Sequence, residues 1–577
     1  MTQHLFPVPI VVKDSLEYKF DQGVKTFLEL LSSGQWIIRV ATSMGKDSST
    51  MLAMVLKAAS IASRAGLSYP PIIVSTANTT IENPRMDMLV KTELQKVRQY
   101  CAKHKINYKI SIAKPKLFES FVVRVIGGNR LPTYTDGPAQ CSMEWKVNVQ
   151  NRQAKIIHQF VKKQYPGIEL LTCTGVRLDE SEARKARILE RGDKANTPFV
   201  YNQEACISPL LHFTEEDIFT FIATASRFDV YSDMQDVFSL YAEASGSGCA
   251  VVGDIVLEQD SKTRQGCGAR FGCAFCTRTG HSDKSMEEMI KLPENGFMAE
   301  LNAFRNYLHA IRFDPTKRRY LGRTIAPDGT VNIAPDTFSS QTLEDLWRML
   351  CSIQHQENLQ SDSLGIAPRF QYVTEEIVAA VSLQWARYGF HPAYHGWVVY
   401  KDVVENGNTL FPSEVQAPVH PRAAGFGKSL GRLPVGIPED EFSPLRNVMA
   451  EALSELSCAE MAPMRIGKTD TVVTQMDIAD TYEINPEGLA MFIDYELDRH
   501  IGMYHGASSS PTAELKTAFQ FGYLKASAPG VLATDRIVAT TDHFHRHGLL
   551  TQGLDQLLSA CIQPEQSYSH IQEEFAF

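Results

Sequence analysis

The sequence predicts an α/β fold: a largely parallel sheet covered by helices on both faces, followed by a cysteine-rich segment and a helical C-terminal region. Three observations predict it. Short apolar runs alternate with helix-length stretches up to about residue 240; glycine and cysteine then crowd residues 241–290; from about 291 to 400 apolar residues recur at three- and four-residue steps. Strands separated by helices of ten or more residues imply crossover connections, and therefore parallel pairing.

Each element has its own signal. Trp36–Ala41 is a strand-like apolar run, and a helical pattern follows from Ser48 to about Ser63. Pro71–Ser75 is a second strand, followed by a helix over Asn83–His104. Tyr108–Ile112 and Leu170–Thr174 are further strand candidates. Helical periodicity then marks Glu300–Ile311, Thr342–His355 and Val373–Tyr388. Proline and glycine fill 405–445, which reads as loop, and the tail from 446 resumes a helical pattern. The expected domains are 1–240, 241–290, 291–400 and 401–577, the last with no readable role.

The composition bounds the function. The chain has 577 residues, 44% apolar and 21% charged, which suits a multi-domain globular protein and excludes a disordered or fibrous chain. Its 57 basic and 66 acidic residues give a net charge of −9, so it is no general electrostatic sponge for nucleic acid. No run approaches the ~18 apolar residues that span a bilayer. The opening MTQHLFPVPIVVKD lacks the basic start and apolar core of a secretory leader. The expected address is the cytoplasm, with no membrane partner.

The turn Ser43-Met44-Gly45-Lys46-Asp47-Ser48-Ser49 joins the first strand to its helix. A small-residue turn at a helix start aims unpaired N–H groups and the helix dipole at an anion. Gly45 permits close approach, Lys46 adds a mobile cation and the serines add hydroxyl donors. The Walker spacing is missing, and a plain helix cap by Asp47 or Ser48 is the competing reading.

Four of the eleven cysteines cluster, as Cys249-x17-Cys267-x5-Cys273-x2-Cys276. Four thiolates ending in Cys-x-x-Cys suit tetrahedral zinc or an iron–sulfur cluster, and spacing alone does not choose between them. Phe271 and Phe275 would shield such a site from water, which favours iron–sulfur. His281 nearby reads as solvated.

The turn resembles the PP-loop of ATP pyrophosphatases, Ser-Gly-Gly-x-Asp-Ser, with Met44 standing in place of the first glycine. Further segments resemble, in order, those of phosphoadenylylsulfate-reductase-like members: Ser75–Pro84; Cys141-Ser142-Met143-Glu144-Trp145-Lys146; Gly175-Val176-Arg177-Leu178-Asp179-Glu180-Ser181 with Arg184; and Ser208-Pro209-Leu210 before Thr214–Ile218. With the cysteine cluster, Ala303–Leu308, Ile311–Pro315, Gln341–Trp347 and Thr374–Trp385, residues 30–390 are similar to the DndC and SspD sulfurtransferases of DNA phosphorothioation.

That resemblance implies a PP-loop, adenine-nucleotide-hydrolase-like fold that splits ATP into AMP and pyrophosphate. It places ATP on Ala41, Thr42, Ser43, Gly45, Lys46, Asp47, Ser48, Ser49, Thr76, Gly175 and Arg177, with Mg2+ as its companion cofactor. It gives catalytic roles to Lys46, Asp47, Ser48, Lys146 and Arg177, with Cys141 as a persulfide candidate or else a structural thiol. Glu180, Ser181 and Arg184 would face the substrate. A [4Fe–4S] cluster would sit on Cys249, Cys267, Cys273 and Cys276, with zinc as the alternative. The implied partners are a cysteine desulfurase, other phosphorothioation proteins including an ATPase, and DNA delivered by them.

Rival readings have their own signals. A reductase of adenylylated sulfate lacks its Glu-Cys-Gly-Leu tail here; transfer-RNA thiolation shares the nucleotide half of the argument; a nucleotide-sensing scaffold would need no cleavage. The basic cluster Lys317-Arg318-Arg319 reads as a solvated face. Gly425–Ser429 is a Walker-like distractor, and His543-Phe544-His545-Arg546-His547 is a weak metal candidate.

Overall fold

The computed structural model describes residues 15–133, 139–245, 271–438, 461–466, 469–474, 481–506 and 509–561. The chain divides into two compact units. The first takes the described residues of Met1–Lys114, Ser142–Ala274 and Ser282–Ala299; the second takes those of Pro115–Cys141, Phe275–His281 and Glu300–Phe577.

The first unit is α/β with a mostly parallel six-stranded sheet. Its elements run α1 (Leu16–Ser33), β1 (Trp36–Ala41), α2 (Lys46–Arg64), β2 (Ile72–Ala77), α3 (Pro84–His104) and β3 (Tyr108–Ala113). They continue with α4 (Asn148–Gln164), β4 (Glu169–Cys173), α5 (Glu182–Arg191), β5 (Phe199–Tyr201), β6 (Glu204–Ile207), α6 (Glu215–Thr224) and α7 (Gln235–Ser245). The strand order is β3-β2-β1-β4-β6-β5. Every pairing is parallel except β5 on β6.

Local chemistry explains these elements. Ile37, Ile38, Val40, Ile72, Val74, Leu171 and Cys173 are buried, the near-continuous apolar reading expected of strands covered on both faces. Crossovers β1–α2–β2 and β2–α3–β3 carry the chain to one edge, and α4 then returns it to β4 on the other side of β1. Ile157 and Val161 of α4 pack on Ile37, Ile73 and Leu170, each buried side chain contributing about 1.5–3 kcal/mol. Asn83 caps α3, its Oδ1 accepting from the Arg85 and Met86 N–H groups before Pro84 at the first turn.

The second unit mixes helices with small antiparallel sheets. Following α8 (Ala299–Ala310), β7 (Arg318–Ile325) and β8 (Thr330–Phe338) form a hairpin, and β9 (Gly431–Pro434) extends it. The helical reading of 291–400 therefore needs correction: residues 318–338 are strands. The turn carries Asp328-Gly329, with Gly329 at φ +75, a hairpin signal that the helical steps on either side outweighed. Beyond β8 lie α9 (Ser340–Leu364), α10 (Glu375–Tyr388) and α11 (His395–Asn406), with Trp347, Trp385 and Trp397 fully buried among them. Further on are the hairpin β10 (Met461–Ile466) and β11 (Thr469–Thr474), β12 (Tyr482–Ile484), α12 (Leu497–Tyr504), α13 (Ala513–Gln520), β13 (Leu524–Ala526) paired with β12, and α14 (Ala528–Arg546).

Lys317-Arg318-Arg319 is not a solvated face. Arg318 is buried against the Phe338 and Phe426 rings. Arg319 lies over Phe390, donates to the Tyr388 carbonyl at 2.9 Å, and is pushed down to about 10 by burial. Two of the three cations therefore serve packing. Among the described residues no helix is long and apolar enough to cross a membrane.

Candidate functional site

The sheet order reverses direction at β1, with β2 on one side and β4 on the other. Open α/β sheets bind ligands in the crevice beyond the carboxyl ends of strands at such a switch point. The turn Thr42–Gly45 leaves β1 there and enters α2 at Lys46. Gly175 and Arg177 leave β4 beside it: a Cβ on Gly175 would lie 3.7 Å from the Ser48 nitrogen.

The turn is bent tightly. Met44 adopts the left-handed conformation, φ +56, although it carries a side chain. Its side chain is fully buried, and its N–H donates to Thr42 Oγ1 at 3.0 Å. Non-glycine residues persist in this region only where their surroundings over-determine them, and such strain clusters at functional sites. The departure from glycine at position 44 thus leaves the glycine-like backbone in place, with burial of the thioether offsetting its strain. Ser43 donates its N–H to Ser48 Oγ at 3.2 Å, and Ser48 Oγ donates to the Gly45 carbonyl at 3.2 Å. Ala41 and Ser43 are exposed, whereas Thr42 and Ser49 are buried. Thr76, at the end of β2, is buried with its Oγ1 lacking a hydrogen-bond partner.

The charges interlock. Arg177 is 2% exposed, and its Nε donates to Asp47 Oδ1 at 2.5 Å. Its NH1 has no hydrogen-bond partner and lies 3.9 Å from the Asp179 carboxylate. A buried guanidinium with an unused donor facing a helix start suits a phosphate oxygen. Lys46 is held instead of mobile: its ammonium lies 3.3 Å from Asp47, 3.6 Å from Glu215 of α6, and over the Phe219 ring. Asp179 also accepts from the Glu215 N–H at 2.9 Å, tying the loop after β4 to α6.

Glu180 forms an ion pair with Arg184, which is 60% exposed, and Ser181 Oγ caps α5 by accepting from the Arg184 N–H. This segment presents its cation outward. Lys146 lies in a single π-helical turn, Met143–Val147, leading into α4. As the crossover from β3 to β4, α4 starts on the carboxyl-end side of the sheet, and π turns are frequent at functional sites. Cys141 belongs to the second unit, half-buried, with its N–H donating to Thr133 Oγ1 at 3.0 Å.

Tyr241 went unnoticed in sequence. It lies on α7, and its hydroxyl accepts from the Lys46 N–H at 3.4 Å. A Cβ on Gly45 would meet that hydroxyl at 3.0 Å, so any larger residue there would push the tyrosine back. The hydroxyl stands where α2 presents a donor to an anion. Arg85 grips Glu243 with two hydrogen bonds, of 3.2 and 2.6 Å, and so fixes α7. An isolated tyrosine before a glycine-rich stretch carries no sequence signal.

Cys249 and Cys267 lie outside the described residues. Cys273 bridges Glu82 in the loop after β2, and the Ala274 N–H donates to the Ile81 carbonyl at 2.7 Å. The end of the cysteine-rich segment is thus strapped to the carboxyl edge of the sheet. Phe271 packs edge-on against Tyr241, with centroids 5.1 Å apart. In the second unit, buried Arg305 donates to the carbonyls of Cys276 at 2.8 Å and His281 at 2.6 Å, and also to that of Gly280. One side chain therefore shapes the turn after Cys276. Phe275 is buried there against Phe121, Phe304 and Tyr372. Neither Cys273 nor Cys276 is in a disulfide.

The two distractors resolve differently from functional sites. Residues 425–428 form an exposed turn. The histidines of 543–547 lie on helix α14, with His543 Nε2 against the Val435 carbonyl at 2.7 Å and His547 Nδ1 against the His543 carbonyl at 2.8 Å.

No protein-family model and no curated protein matches the chain. Similar solved structures include Candida glabrata FMN adenylyltransferase with FMN and an ATP analogue, at 13% identity and TM-score 0.22 over 37% of this chain and 59% of that one. The same enzyme with FAD and inorganic pyrophosphate gives 12% and 0.21 over 37% and 59%. Yeast FAD synthetase in complex with FAD gives 15% and 0.20 over 37% and 61%. The chain spans about six-tenths of the length of these proteins, and at such TM-scores the likeness carries no argument.

Proposed function

We propose that the chain is an ATP pyrophosphatase that transfers AMP to an acceptor oxygen. The observation that carries this reading is the meeting of Arg177 and Asp47 across the β1/β4 switch point, with a strained anion-binding turn beside them. The N–H groups at the start of α2, from Lys46 to Ser48, would receive the β- and γ-phosphates as the Tyr241 hydroxyl gives way, with the Ser48 hydroxyl beside them, and the spare Arg177 donor an oxygen of the reacting phosphate. Mg2+ would be held mainly by the phosphate oxygens, with Asp179, 3.9 Å from Arg177, as a carboxylate that could join them. The acceptor oxygen attacks the α-phosphorus; the bond to the bridging oxygen breaks, and pyrophosphate leaves with that electron pair. Preorganised donors stabilise the departing charge.

The acceptor follows from the resemblance to phosphorothioation enzymes: a non-bridging oxygen of a DNA phosphodiester is activated by AMP, sulfide-level sulfur, mobilised from a cysteine desulfurase persulfide by a thiol reductant that is oxidised to a disulfide, attacks the DNA phosphorus, and AMP leaves with the activated oxygen. DNA affinity requires local cations, and with a net charge of −9 the DNA is best delivered by partner proteins. The strapping of Cys273 to the carboxyl edge of the sheet supports a sulfur-handling role for the cysteine segment. The thiols of Cys249, Cys267, Cys273 and Cys276 have the donor chemistry for a [4Fe–4S] cluster, which would hold or relay sulfur.

The test is pyrophosphate release from ATP with Asp47→Ala and Ser48→Ala. Loss of release in both, with folding intact, is expected; retained release contradicts the assignment. Sulfite from adenylylated sulfate, or sulfur in RNA bases, would redirect the acceptor.

A further inference from the structure

The second unit carries a cluster that the nucleotide chemistry does not use. Glu344 lies near the start of α9, His391 in the loop between α10 and α11, and His395 at the first position of α11. Ligand-capable atoms of these three side chains all lie within 4.8 Å of one another. We propose that Glu344, His391 and His395 bind a divalent transition metal of the zinc class, with His505 behind them as the outer hydrogen-bond partner of His395.

The proton arrangement supports the assignment. His391 Nε2 lies 3.0 Å from the Ser340 carbonyl, which can only accept, so Nε2 carries the proton and Nδ1 keeps its lone pair. His395 Nε2 stands 2.9 Å from Glu344 Oε2. Two ligand atoms on one tetrahedral zinc, with bonds of 2.0–2.1 Å, lie about 3.3 Å apart, so this pair is already near ligand spacing, while the His391 ring, nearly parallel to that of His395 at 4.4 Å, must turn to join them. His395 Nδ1 stands 2.9 Å from His505 Nε2 and can donate to it, as metal-bound histidines commonly do with their second nitrogen. The other oxygen of Glu344 faces Arg348 at 3.7 Å, which orients the carboxylate.

The scaffold is rigid and the site reachable. Tyr394, just before His395, is fully buried at φ +65, and its N–H donates to Glu514 at 2.7 Å. Trp385 packs against His391 with the rings tilted and their centroids 4.5 Å apart. The three ligands remain half-buried, which leaves solvent access. One carboxylate and two imidazoles are a zinc-type donor set with a fourth position open to water. The competing arrangement is a metal-free relay in which His505 donates to His395 and His395 donates to Glu344.

The test uses the full chain with any affinity tag removed and with Cys267→Ser and Cys276→Ser introduced, so that thiol-bound metal does not contribute. Zinc is titrated against a chelating dye, and cobalt substitution is followed by absorption. One equivalent of zinc should bind, and cobalt should give d–d bands without sulfur charge transfer. His391→Ala with His395→Ala should weaken zinc by at least a hundredfold, and His505→Ala by roughly 10–100-fold. If the double variant misfolds, Glu344→Gln keeps the side-chain size and should still weaken binding at least tenfold. Absence of zinc binding in the cysteine variant, or affinity unchanged by Glu344→Gln, overturns the proposal in favour of the relay.

Discussion

Removing the charge of Asp47 should destabilise the first unit through the buried cation it leaves behind. Arg177 keeps only 3% of its side chain exposed and rests on Asp47 Oδ1 at 2.5 Å, while the carboxylate itself is 27% exposed. Breaking a fully buried pair by deleting one partner costs about 3–5 kcal/mol, because the other charge is left uncompensated. Partial wetting of Asp47 lowers this to about 2–3 kcal/mol. Lys46 and Arg177 would then face only Glu215 at 3.6 Å and Asp179 at 3.9 Å. Asp47→Asn, Arg177→Gln and the double variant form a cycle whose coupling should be about 1.5–3 kcal/mol. Hydrogen exchange of β1 and β4 amides in urea reads the first unit alone. A coupling below about 0.5 kcal/mol would show that the two side chains are neighbours without being partners.

Other predictions follow from neighbouring observations. Met44→Ala should cost about 2–5 kcal/mol by emptying a buried site, whereas Met44→Gly relieves the backbone and should be more stable than the alanine variant by up to about 1 kcal/mol; the opposite order in thermal melts would contradict the strain. Tyr241→Phe should change stability by no more than about 1 kcal/mol and tighten ATP binding, because the hydroxyl no longer competes for the Lys46 N–H; weaker binding by calorimetry would mean that the hydroxyl itself holds phosphate. Burial raises Glu514 to about 7, so the folded state holds a proton that the unfolded chain releases near 4.5. Stability should therefore fall by about 3 kcal/mol as pH rises from 5 to 8, a slope that Glu514→Gln removes; equal slopes in the two proteins would refute the raised value.

Much of the first unit was legible because its inner strands β1 and β2 are mostly apolar and each is followed by a helix-length stretch. β1 is Trp36–Ala41 in both sequence and structure, and β2, α3 and β3 differ from expectation by one or two residues at their ends. The hairpin of β7 and β8 was hidden because helical periodicity flanks it and only Asp328-Gly329 announces the turn. Contiguous motifs directed attention to Ser43–Ser49 and Gly175–Arg184, and structure adds what spacing cannot carry: Lys46 pinned by Glu215, and Tyr241 over Gly45. Glu344, His391, His395 and His505 escaped for the same reason. They come from separate elements, whereas the contiguous histidines of 543–547 attracted notice and make helix and backbone contacts. Cys249 and Cys267 lie outside the described residues, so the four-thiol set rests on spacing and resemblance.

The most direct measurement follows ATP labelled at the α-phosphate, incubated anaerobically with the full chain, partner proteins and DNA, with products resolved by chromatography. The account predicts label in AMP and in an AMP–acceptor adduct, with unlabelled pyrophosphate released in equal amount. Label accumulating in ADP would mean cleavage at the other phosphoanhydride and would contradict it.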